Sequence, residues 1–186
     1  ADTTMLAEFI EVVAYKTRFL KSILKEDLTK FHHLKGLGYD IFISRFSSPP
    51  VSTDNTFQEM KSTGSLGLLK DESLKKSIFN YYRYIQNRTL ALQNQFSDWP
   101  KIISQMIPGE GQIFDVSALV NTRPVFPKTE ETALIQKLLN NREVLAPHIN
   151  AELQYASKQQ VSFFELQVYA NELLMELNKA VENRKK

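Results

Sequence analysis

The sequence predicts an all-α protein: an elongated, antiparallel up-and-down bundle of three long helices with one or two short ones. Three observations carry that expectation. Apolar residues recur at three- and four-residue steps over long stretches. Glycine is scarce, with 6 in 186 residues, while 42% of the chain is apolar. That balance suits packed helices better than a turn-rich β-sandwich or a disordered chain. Signals for strands, meaning alternating apolar and polar positions between turn residues, are close to nil. The length favours one domain, so residues 1–186 are expected to form a single bundle.

The first helix is expected over residues 3–45, with Thr3 or Thr4 as its N-cap and Leu6, Phe9, Val13, Leu20, Ile23, Leu24, Leu28, Phe31 and Leu34 on one face. Gly36 and Gly38 mark its weak point, because each glycine costs about 1 kcal/mol relative to alanine in a helix. A loop around Pro49-Pro50 ends it. A short helix over residues 55–62 follows, stopped by Gly64 in a left-handed C-cap. Leu66, Leu68 and Leu69 are expected to plug the bundle end, and Asp71 to cap a long helix over residues 72–106. Its seam is Leu74, Ile78, Tyr81, Ile85, Leu92, Phe96, Trp99, Ile103 and Met106, with a kink near Asp98 caused by Pro100. Residues 108–128, with Gly109, Gly111, Pro124 and Pro127, read as a long loop carrying one helical turn near Asp115. A last helical region is expected over residues 129–183, interrupted at Asn140-Asn141, with Pro147 in the first turn of the restart.

Composition excludes several chemistries. The formal charge is +2, and basic residues are spread along the chain, so no nucleic-acid footprint is expected. The chain has no cysteine, which removes disulfides, thiolate nucleophiles and cysteine-ligated metals. No run of 18 or more apolar residues is present, as a bilayer span would need. His32 and His33 are adjacent, so on a helix they point about 100° apart and cannot chelate one metal. His148 stands alone. The acidic pairs Glu26-Asp27, Asp71-Glu72 and Glu130-Glu131 fit helix starts or solvated faces. Neither glycine pair resembles a phosphate loop. No catalytic residue, metal ligand set or cofactor is therefore expected.

The aromatic cluster Phe79, Tyr81, Tyr82 and Tyr84 is the most suggestive feature. Four rings within six residues cover more than one helix face, so at least one leaves the seam. Packing between helices is the plainer explanation. The functional one is a ligand or partner surface made by Tyr81, Tyr82, Tyr84, Arg83 and Arg88. Phe57, Gly64, Leu68 and Asp71 read instead as a structural corner between two helices.

Residues 56–82 also resemble a recurring segment of a family of uncharacterised bacterial proteins with one N-terminal membrane anchor and a helical extracytoplasmic domain. Phe57, Glu59, Met60, Ser62, Gly64, Leu68, Leu69, Asp71, Leu74, Tyr81 and Tyr82 occupy its aromatic-x-Glu-Leu-x-Ser-x-Gly, Leu-Ile-x-Asp and Tyr-Tyr positions, with Met60 in place of a leucine. Residues 19–28 are similar to the family's first helix after the anchor. The resemblance implies an extracytoplasmic or periplasmic, membrane-anchored location, with an anchor that this chain, starting at Ala1, does not contain. It implies no activity. The leading expectation is a non-enzymatic module that senses or binds a ligand. The alternatives are a scaffold that pairs with another protein or a second copy of itself, and the periplasmic sensor domain of a receptor.

Overall fold

The structure is a computed structural model and describes residues 2–33, 36–47, 55–93, 95–106 and 128–184. These residues are all-α: seven helices and their connecting turns, with no strand among them. The helices are α1 (Asp2–Leu24), α2 (Leu37–Ser44), α3 (Asn55–Ser62), α4 (Glu72–Gln93), α5 (Trp99–Met106), α6 (Lys128–Asn140) and α7 (Arg142–Arg184). Short 3₁₀ turns occupy Leu28–Lys30 and Ser65–Leu68. Leu34, the loop expected around Pro49-Pro50, and the loop expected over 108–128 with its turn near Asp115, apart from Lys128 at the start of α6, lie outside the described residues.

The stretch expected as one helix over 3–45 is two helices. Helix α1 already includes Asp2, so Thr3 and Thr4 sit in its first turn rather than capping it. It closes in a Schellman motif: Asp27 N–H donates to Ser22 O at 3.1 Å and Glu26 N–H to Ile23 O at 3.4 Å. Glu26 takes the left-handed position, at φ 59°, which glycine usually fills. Its carboxylate pairs with Arg142 at the start of α7. The break therefore falls well before Gly36, which itself adopts φ +90° at the N-cap of α2. A Cβ there would lie 3.0 Å from Glu131 Oε1, the atom that accepts the Leu37 N–H.

The helix expected over 72–106 is likewise divided, not merely kinked. Proline has no N–H and its ring clashes with the carbonyl four residues back, so α4 does not continue through Pro100. Pro100 instead lies in the first turn of α5, where a missing donor costs nothing. Asp98 O receives the first bond of that helix from Ile102 N–H at 3.0 Å, and Trp99 N–H donates to Ser97 Oγ at 3.2 Å. The final region divides at Asn141, whose side chain donates to Lys137 O at 2.8 Å. Pro147 lies inside α7, beyond its first turn.

At the corner, Gly64 is left-handed (φ 72°, ψ 3°) and Leu66 is buried. Leu68 does not plug the end: it is 82% exposed. In a 3₁₀ turn the residue two positions beyond an inward one points away, so Leu66 and Leu68 cannot both face inward. Asp71 Oδ1 accepts the Leu74 N–H at 3.0 Å, capping α4.

The chain divides into two compact units. The first comprises residues 1–11, 48–95 and 158–186; the second comprises residues 12–47 and 96–157. In the second, Phe19, Leu20, Ile23, Leu28, Leu37, Ile41, Trp99, Ile103, Leu134, Leu138, Leu145 and Ile149 form one buried cluster. Trp99 is wholly buried and donates from Nε1 to Ser44 Oγ at 3.1 Å. In the first, Phe57, Leu66, Leu74, Tyr81, Ile85, Leu92, Phe163 and Leu166 are buried, and Phe9 packs on Phe163 with ring centroids 5.4 Å apart.

Gly64→Val should lower the unfolding free energy by about 1–2 kcal/mol, the cost of a left-handed L-residue. Gly67→Ala, at a position with ordinary φ and open space, should shift it by no more than about 0.5 kcal/mol. Urea midpoints of the two variants provide the measurement, and equal midpoints would sink the assignment.

Candidate functional site

Helix α4 points Leu74, Tyr81, Ile85 and Leu92 inward at four- and seven-residue spacing. That fixes its aromatic cluster. Tyr81 is buried, and its ring meets Tyr82 edge-on at 5.1 Å. Tyr82 stacks on Phe57 of α3 at 4.3 Å and 8° between planes, while Phe79 meets the same Phe57 edge-on at 5.8 Å. Phe57 thus holds α3 against α4 through two rings. Arg83 is exposed and donates to Asn80 Oδ1 at 3.4 Å.

Tyr84 and Arg88 lie one turn apart on the next face and meet α7. The Tyr84 hydroxyl donates to Glu165 Oε2. It accepts from Arg88 Nε at 2.7 Å, and Arg88 Nη2 donates to the same carboxylate oxygen at 2.9 Å. The guanidinium lies 5.1 Å from the Tyr84 ring centroid, and the Tyr169 ring lies 4.9 Å from that of Tyr84. Of the five surface residues expected from sequence, Tyr84 and Arg88 come together and recruit Glu165 and Tyr169. Tyr81 and Tyr82 belong to the Phe57 stack, and Arg83 stands apart.

Electrostatics follow from this closed triangle. Burial first, then donation to Glu165, pushes the Tyr84 phenol up to about 12. The Tyr84 hydrogen bond, with the Arg88 charge behind it, holds the Glu165 carboxyl below its ordinary range. Arg88 is raised, chiefly by its bond to Tyr84. The Arg88 and Glu165 side chains remain 40% and 42% exposed, so solvent and solutes reach both charges.

Two other polar clusters, both in the second unit, are buried. Lys16 and Glu152 form an ion pair at 0% side-chain exposure. Lys16 Nζ also donates to Phe46 O at 2.5 Å, and the Ser97 hydroxyl to Glu152 Oε2. The Lys16 ammonium lies 5.6 Å from the Tyr155 ring centroid, and the Tyr155 hydroxyl donates to Ser47 O at 2.9 Å. Burial pulls the Lys16 ammonium below its ordinary range while Glu152 holds it charged, and burial raises the Tyr155 phenol. Elsewhere, wholly buried Asp40 accepts from the Tyr15 hydroxyl at Oδ1 and pairs with His33 Nδ1 at Oδ2. Burial pushes the Asp40 carboxyl up against the opposing effect of those two partners.

The expectation for His33 assumed a helix. His33 lies instead in the connection between α1 and α2, where a carboxylate seven residues away reaches it. His32 is exposed and His148 half-buried. Sequence reasoning missed Lys16, Asp40 and Glu152, although each left a signal. Lys16 stands between Val13 and Leu20, and Glu152 between Ile149 and Ala156, at three- and four-residue steps within an apolar seam. Asp40 stands at the same steps between Leu37 and Ser44, and directly before Ile41. A charge at a seam position is buried unless the helix turns away, and then it needs a partner. Among the described residues no group of three or more histidines, aspartates and glutamates is placed to hold a metal ion.

Comparison with family models, with curated proteins and with solved structures finds no significant match to this chain.

Removing one member of a buried ion pair strands the other, so Lys16→Met should cost about 3–5 kcal/mol of unfolding free energy. The double variant Lys16→Met/Glu152→Met should recover most of that loss. Denaturant unfolding of the two single variants and the double closes the cycle; additive losses would mean that the pair is not coupled.

Proposed function

We propose that this chain is a non-enzymatic helical module that binds or senses a small ligand, part of a membrane-anchored bacterial protein and exposed outside the cytoplasm. Its helices are taken to run up and down as an elongated bundle. The observation that carries the ligand reading is the Tyr84–Arg88–Glu165–Tyr169 cluster, with both charges still 40% or more exposed. An ion pair this exposed contributes about 0–1 kcal/mol, so an incoming carboxylate displaces Glu165 from Arg88 at little cost. The guanidinium then offers its paired N–H donors to the new anion. The rings of Tyr84 and Tyr169 supply an aromatic wall beside it. An aromatic carboxylate is the chemistry that uses all of these groups.

Support for a non-enzymatic role is the composition of the chain, which lacks cysteine, and the use of the His33 ring to satisfy a buried carboxylate. Support for the location is the resemblance of residues 56–82 to the anchored family.

Benzoate serves as the probe. Titrated into the protein, it should shift the backbone amide resonances of residues 84, 88 and 169 in a two-dimensional nitrogen–proton spectrum and saturate. Arg88→Gln should abolish saturation without moving the thermal midpoint by more than a few degrees. A wild-type response that stays linear, or one unchanged in Arg88→Gln, would overturn the ligand reading. The location stands on a separate reading: the gene upstream of Ala1 should encode a span of about 20 apolar residues, and a start codon with no such span removes it.

A further inference from the structure

Two donors converge on one oxygen at the α4–α7 contact. The Tyr84 hydroxyl and Arg88 Nη2 both donate to Glu165 Oε2, while Arg88 Nε donates to the Tyr84 oxygen at 2.7 Å. Glu165 thus already holds, from within the chain, the place that an aromatic carboxylate from outside has to take. Two features make it a competitor rather than a fixed support. The Arg88 and Glu165 side chains both reach solvent, so parting them strands neither charge in an apolar surrounding. In addition, α4 and α7 meet through the Tyr84 and Tyr169 rings and through a Ser73–Glu176 hydrogen bond. The pairing of the two helices therefore does not rest on the ion pair.

We propose that Glu165 is a built-in competitor at Arg88, and that its displacement couples the binding of an aromatic anion to the uptake of a proton. The proposal rests on the ligand reading of this cluster and adds its regulation. The coupling follows from linkage. While the triangle is closed, the Tyr84 bond first and the Arg88 charge after it hold the Glu165 carboxyl below its ordinary range. Among the described residues, the titratable groups acting on Glu165 are these two, both from α4. When an anion takes their donors, Glu165 loses the groups that favour its ionised form and gains a like charge beside it. Both changes raise its pKa. The liganded protein therefore keeps a proton that the closed triangle releases, in a window reaching down from the ordinary carboxylate value of about 4.3. Anion affinity rises as pH falls through that window and levels off once Glu165 is protonated in both states. At neutral pH Glu165 is ionised either way and competes as a plain carboxylate. The Tyr84 phenol, pushed up to about 12, and Arg88, raised as well, keep their protons throughout. Within the triangle Glu165 alone titrates.

Two titrations of the full chain test the coupling. At neutral pH, benzoate should bind Glu165→Gln about three- to fivefold more tightly than the wild type, because an exposed competing ion pair is gone. Benzenesulfonate stays ionised in acid, so its affinity follows the protein's protons alone. It should bind the wild type severalfold more tightly at about pH 4 than at about pH 6.5. Glu165→Gln should keep only the shallow slope that the charge of the rest of the chain imposes. Circular-dichroism melts at both pH values establish that the chains are folded, and the benzoate arm at neutral pH decides the matter without them. Benzoate affinity that is unchanged or weaker in Glu165→Gln would overturn the proposal, since Glu165 would then hold Arg88 in place rather than compete for it. A benzenesulfonate profile of equal slope in the two chains would overturn it as well. Failure of benzoate to bind either chain removes the ligand reading and the coupling together, whereas saturable, Arg88-dependent binding that ignores residue 165 removes the coupling alone.

Discussion

Lys16 and Glu152 face each other where no water reaches either charge. Stripping water from an ammonium and a carboxylate costs several kcal/mol per ion, and attraction offsets that only when the remaining donors and acceptors are also satisfied. The protein brings the Phe46 carbonyl and the Tyr155 ring to the ammonium and the Ser97 hydroxyl to the carboxylate. Together with the pair itself, those groups belong to four separate places in the chain: α1, the residues just after α2, the approach to α5, and α7. Withdrawing either ion strands the other in an apolar surrounding. The pair consequently acts less as a source of net stability than as a demand that four segments arrive together. The Asp40 cluster repeats the device on a smaller scale. A carboxylate that burial disfavours is held by Tyr15 from α1 and His33 from the α1–α2 connection, while Glu131 from α6 caps the same short helix.

The polar clusters divide by exposure, and exposure decides what each can do. Lys16–Glu152 and Asp40–Tyr15 are sealed, so their bonds are internal and exchange with nothing. Tyr84, Arg88 and Glu165 make bonds of the same kinds, but their charges reach solvent. Exchange of one carboxylate for another is there a matter of small free-energy differences.

The helices were legible because periodicity is a local property: the apolar steps from Leu6 to Leu24 and from Leu74 to Leu92 need no knowledge of the rest of the fold. Caps were legible where side-chain chemistry is distinctive, as at Gly64 and Asp71. Their breaks were harder. Glu26 ends α1 in a conformation that its own side chain does not advertise, and its Arg142 partner is over a hundred residues away. Leu68 has the chemistry of a plug, yet the tight turn around Leu66 aims it outward. Arg88 and Tyr84 could be placed on one face from spacing alone, but Glu165 could not be joined to them until α7 was placed beside α4. Pairings between distant elements are the part of a site that a single sequence carries least visibly, because any exposed glutamate on any helix would have served equally well on paper.

Trp99 has one more consequence. It is the only tryptophan in the chain, wholly buried and hydrogen-bonded in the second unit, whereas Tyr81, Tyr82, Tyr84 and Tyr169 all belong to the first. Light absorbed by indole alone therefore reports on one half of the molecule. Phenol absorption reports on both, since Tyr15, Tyr39 and Tyr155 lie in the second unit. Indole emission follows the second unit alone while the phenols follow both, and whether heat opens the two units in one step or in sequence is written in whether the two signals change together.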